Sequence, residues 1–176
     1  MSEEDDDLLP LAQAIWYGYR RDAELLVQQG ATLDLELAAG LGRVDLLPNF
    51  FDPRGNLLPS AGKHHPPVKD FIRMEGKAAE LLDQALVYAI IGDSDDAVAY
   101  LLHHGADIHA QPSGFDVRAT PLHWAVGGSS STVVKLLLNH GADLTATDLT
   151  YGCTPLEWEE RIHGLICSSV KKVDTP

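Results

Sequence analysis

The chain has 176 residues, 45% of them hydrophobic and 22% charged, which suits one domain with a continuous core. Twenty-six acidic residues against thirteen basic ones leave a formal charge of −13, which repels phosphate backbones and anionic bilayers and argues against a nucleic-acid or membrane partner. The longest apolar runs, such as Ala85 to Ile91, are too short to span a bilayer, and Cys153 and Cys167, with thirteen residues between them, suit neither a disulfide framework nor a four-ligand zinc site. The N-terminus is acidic where a secretory leader would be basic, so a cytoplasmic protein with reduced thiols is expected. In chain order, residues 1–7, with Glu3, Glu4, Asp5, Asp6 and Asp7, read as a solvated, disordered tail.

Beyond the tail the chain repeats itself. Leu101-Leu-His-His-Gly-Ala-Asp-Ile108 and Leu137-Leu-Leu-Asn-His-Gly-Ala-Asp-Leu144 share a Gly-Ala-Asp whose glycines lie 36 residues apart. Thr120-Pro-Leu-His-Trp-Ala125 and Thr154-Pro-Leu-Glu-Trp-Glu159 recur at a spacing of 34. A period of this size signals stacked supersecondary units. These strings resemble the ankyrin repeat, whose pattern runs Thr-Pro-Leu-His, Ala-Ala, paired Leu, Gly-Ala-Asp. The resemblance implies an all-α solenoid of about five helix-turn-helix repeats, joined by β-hairpin-like fingers and carrying one inserted loop-helix segment.

In that register a single domain over residues 8–176 holds repeats near 8–34, 34–54, 85–108, 120–144 and 154–173. Pro10 precedes Gly30 by twenty residues, as Pro121 precedes Gly141. The second repeat keeps its first helix but has Phe50-Phe51 in place of the Leu pair. Residues 55–84 are an insertion that reads as a loop leading into one helix. The small Ala14, Ala38, Ala89 and Ala125 let helices approach, while Leu26, Phe50, Leu101 and Leu137 fill the space between layers. Gly30, Gly105 and Gly141 end second helices in a left-handed conformation. The last repeat, with Glu159-Glu160 for the Ala pair, reads as a terminal cap.

Candidate chemistry is sparse. His64-His65 precedes two prolines without companions at ligand spacing, so no metal or cofactor is expected there. His103, His104 and His140 stand at helix ends, where a donor complements orphan carbonyls. The resemblance gives His123 a structural hydrogen bond with Thr120. Ser129-Ser130-Ser131 reads as a polar loop, Gly40-Leu-Gly42 lacks the third glycine of a dinucleotide fingerprint, and Asp95-Asp96 and Glu159-Glu160 read as solvated faces.

The resemblance therefore implies a monomeric, non-enzymatic adaptor that binds a protein partner on its concave side. The helix positions facing that side would be Trp16 and Tyr17, Gly40 and Leu41, Ile91 and Gly92, Gly127 and Gly128, and Arg161 and Ile162. The finger tips would be Asp116, Val117 and Ala119, then Thr150, Tyr151 and Cys153. Exposed aromatic and arginine side chains anchor partners best, which selects Trp16, Tyr17, Phe115, Arg118, Tyr151 and Arg161. The longer first finger, Gln111 to Asp116, is expected to protrude, and Trp124 and Trp158 to be semi-buried packing residues. Two alternatives remain. One is an acidic inhibitor or immunity-type protein that neutralises a basic enzyme, motivated by the charge. The other is a metal-dependent enzyme using His64 and His65.

Overall fold

The computed structural model of the chain describes residues 9–62, 78–128, 131–158 and 160–161. The acidic tail, His64 and His65, Ser129 and Ser130, Glu159, Ile162, Cys167 and most of the last expected repeat lie outside the described residues. Seven α-helices are described: α1 (Leu9–Trp16), α2 (Arg20–Gln28), α3 (Leu35–Gly40), α4 (Ala78–Ile91), α5 (Asp95–His103), α6 (Pro121–Gly128) and α7 (Ser131–Asn139). A 3-10 turn, Leu47–Phe50, follows α3, and residues 155–158 form a further helical turn.

Consecutive helices pair as hairpins, α1 with α2, α4 with α5 and α6 with α7. The first helices lie side by side, α4 touching α1, α3 and α6, while α5 meets α7. Ala14, Ala38, Ala89 and Ala125 are all buried where these helices meet, and Leu101 and Leu137 are fully enclosed between the second helices. Leu26 and Phe50 are only partly buried. Each fully enclosed leucine contributes about 2 kcal/mol through lost apolar surface.

Helix ends follow the sequence closely. Gly30, Gly105 and Gly141 take φ of 103°, 93° and 90°. Around each, the following alanine N–H reaches back to a leucine carbonyl, Ala31 to Leu26, Ala106 to Leu101 and Ala142 to Leu137, closing the same left-handed C-cap three times. His104 and His140 place Nδ1 2.8 Å from the carbonyls of Tyr100 and Leu136, one turn earlier, where an Nδ1–H serves the helix end. At α3, the Asp34 carboxylate accepts the N–H of Leu37.

The ends of α3 and α4 approach closely at Gly40 and Gly92. A Cβ at position 92 would overlap the Gly40 carbonyl oxygen, and one at 40 would meet Ile15 at 2.6 Å. Small residues at the ends of α3 and α4 thus allow backbone to touch backbone.

The second repeat departs from expectation, since a 3-10 turn replaces its second helix. Pro48 has no N–H to donate, so an α-helix running through this stretch would lose one of its ladder bonds. The chain instead turns at 52–56, where the Asp52 carboxylate gathers the N–H groups of Arg54 and Asn56. An isolated bridge joins Phe51 and Leu57, and Ala61 is buried with its carbonyl bonded to the N–H of Leu35. The described start of the insertion therefore packs onto α3, and at its other end α4 runs unbroken from Ala78 through Ile91.

Candidate binding cleft

Two stretches link the hairpins, residues 105–120 and 141–154, and no strand is formed in either among the described residues. Side chains make the cross-links that a β-ladder would have made. Gln111 Nε2 donates to the carbonyl of Thr147, its Oε1 accepts from Leu149 N–H, and the same N–H also faces the Arg118 carbonyl at 2.8 Å. Arg118 N–H donates to Thr150 Oγ1.

The first finger does not protrude, contrary to the sequence expectation. Phe115 is 4% exposed, and Val117 and Ala119 are buried too. The ring of Phe115 stacks on Trp16 at 5.3 Å and meets Tyr88 and Trp124, while Ser113 donates from both backbone and hydroxyl to Glu80. An aromatic side chain on the longer finger finds three rings to cover and folds inward. Phe115 accordingly offers no surface to a partner.

His123, fully buried, ties the two fingers' repeats together. Its Nδ1 lies 2.7 Å from Thr120 Oγ1 and accepts from Thr120 N–H, which leaves the proton on Nε2 to be donated to the Cys153 carbonyl at 2.9 Å. In the next Thr-Pro-Leu motif Glu157 does the corresponding work: its carboxylate accepts from both N–H and hydroxyl of Thr154, a capping box. Those bonds hold the Glu157 carboxyl below its ordinary range.

Asp148, which the sequence reading passed over, organises the second finger. It is 2% exposed and accepts from the N–H groups of Thr150, Tyr151 and Cys153. Burial pushes its carboxyl upward, but these three donors outweigh burial and hold it below the usual range. The loop so fixed presents Tyr151, 49% exposed, with the Arg161 guanidinium 4.7 Å above its ring. Arg161 also reaches Cys153 Sγ at 3.7 Å.

The other aromatic candidates meet at a cleft of about 340 Å³. Trp16, Tyr17 and Gly18 enter from the end of α1, and Ile91 from the end of α4. Trp124, Gly127 and Gly128 come from α6, and Trp158 closes the far side. Edge-to-face contacts run from Trp16 to Trp124 at 5.4 Å and from Trp124 to Trp158 at 5.2 Å, so the chain's three tryptophans form one row. Trp124 is half-buried and its Nε1 has no hydrogen-bond partner, whereas Trp158 is buried more deeply than expected, at 5%. Tyr17 stands 56% exposed at the rim.

Of the ten helix positions expected to face a partner, five line this cleft: Trp16, Tyr17, Ile91, Gly127 and Gly128. Gly40 and Leu41 do not, being buried where α3 meets α1 and α4. Among the described residues no group of three or more His, Cys, Asp or Glu is arranged to hold a metal, and no helix is long and apolar enough to cross a membrane.

A family model for ankyrin repeats matches residues 86–138, from within α4 to the end of α7. Over these residues the chain carries ankyrin repeats. The match takes in Gly105 and the Thr-Pro-Leu-His motif and stops three residues short of Gly141. No curated protein matches the chain.

Proposed function

We propose that this ankyrin-repeat protein is an adaptor that binds another protein noncovalently across its concave side. Trp16 and Tyr17 would engage the partner at the cleft, and Arg118, Tyr151 and Arg161 at the fingers. The observation that carries the reading is the cleft itself. Side chains from α1, α4 and α6 converge there on a row of tryptophans, and large aromatic side chains give much buried area at low entropic cost. The charge of −13 favours a partner with a basic surface, drawn in by long-range attraction. Phe115 then serves as the floor beneath Trp16 and makes no direct contact.

The test is capture from extracts of the source cells with wild type beside a Tyr17→Ala, Tyr151→Ala variant of matched helicity. Both side chains are about half exposed, so their loss leaves the core intact. One protein retained by wild type and lost by the variant supports the reading. Equal retention by both places the docking surface elsewhere.

A further inference from the structure

The cleft has an electrostatic character that its lining alone does not reveal. Three helices end on it, α1 at Trp16, α4 at Ile91 and α6 at Gly128. Each brings the negative end of its dipole, at most about half an elementary charge and partly offset by the N-terminus of the helix that follows it in the hairpin. Gly18, Gly127 and Gly128 leave the backbone there without covering side chains. Aromatic faces add their own negative potential, which attracts a cation within about 6 Å of a ring centre. The net charge of −13 acts in the same direction.

None of the described lining residues is charged. A lysine ammonium, compact and strongly hydrated, would shed its water there without a carboxylate among the described lining residues to replace it. A guanidinium is planar and weakly hydrated and stacks on indole faces. The volume, about 340 Å³, is in the range of sites that enclose small ligand groups. We propose that the cleft receives an arginine side chain of the partner protein, an assignment that rests on the reading that the partner docks at this face.

All three tryptophans of the chain line the cleft, so tryptophan fluorescence, excited where tyrosine does not absorb, reports on this site. The probe is a capped Gly-Ser-Arg-Ser-Gly peptide, titrated beside versions with citrulline, lysine or leucine in place of arginine. The expected result is a saturable change with the arginine peptide, about tenfold tighter than with the citrulline isostere, which keeps shape and loses charge. Gly128→Lys, whose side chain enters open space, should weaken the arginine peptide by about tenfold or more while leaving helicity unchanged. Leucine or lysine binding as tightly as arginine overturns the assignment but leaves partner docking intact. Absence of any fluorescence change with any peptide, or an arginine affinity untouched by Gly128→Lys, also overturns it; capture of the partner by wild type but not by the tyrosine variant would show that the docking reading survives.

Discussion

Replacing His123 by alanine tests the coupling between the fingers. The imidazole is fully enclosed and joins Thr120 on one side to the Cys153 carbonyl on the other. Its loss removes two hydrogen-bonded links, each worth about 1 kcal/mol net, and leaves the Cys153 carbonyl and Thr120 N–H without a buried partner. A cavity against Trp158, whose ring centre lies 5.9 Å away, adds to this. The sum is about 3 kcal/mol, which in a chain of this size lowers the thermal midpoint by roughly 6–12 °C. Circular dichroism melts of wild type, His123→Ala and Glu157→Ala read it directly. Glu157 makes its bonds in solvent, so its variant should show a clearly smaller shift. A His123→Ala shift under about 2 °C, or one no larger than that of Glu157→Ala, would refute the buried tie.

Gly92→Ala should destabilise by about 2–4 kcal/mol in urea unfolding, because the new methyl meets the Gly40 backbone and must part α3 from α4. Asp148→Ala leaves three N–H groups of the second finger unpaired. It should cost about 2 kcal/mol and speed amide exchange at Thr150, Tyr151 and Cys153 before it affects α1 or α2. Asp83, half-covered beside Asp107 and Glu80, has its carboxyl pushed up to about 6, chiefly by burial, despite accepting the Asp107 N–H. A raised folded value means the native state favours the protonated form, so Asp83's contribution is fully present below about pH 4 and lost as pH rises through 6. Asp83→Asn should therefore gain about 1 kcal/mol relative to wild type between pH 5 and pH 7.5, the figure being reduced for solvent screening; a gap independent of pH would contradict the burial argument.

Most of the helical framework was legible because it depends on local rules. Gly30, Gly105 and Gly141 announced helix ends since only a left-handed residue closes those caps, and Ala14, Ala38, Ala89 and Ala125 marked the contact faces by size. Trp16, Tyr17, Ile91, Gly127 and Gly128 shared a register position, and that shared position is what brings them to one cleft. Features set by tertiary packing were less readable. Whether Phe115 pointed outward or inward depended on Trp16, Tyr88 and Trp124, each on a different helix hairpin. Pro48 was a visible warning against a second helix in its repeat. Asp148, four residues before Gly152 and the following Thr-Pro, carried a turn signal that an acidic chain with 26 carboxylates made easy to overlook. The buried Glu36 and Gln84 carried no signal, each lying in a helix where a polar residue ordinarily faces water.

The most direct test of partner docking at the cleft is a photo-crosslinking amino acid placed at Gly128, where a side chain enters open space, compared with the same group at Leu25, half-exposed on α2. Irradiation in source-cell extract should join the Gly128 protein to one partner and the Leu25 protein to none. The same partner joined equally from both positions, or from Leu25 alone, would contradict docking at the tryptophan cleft.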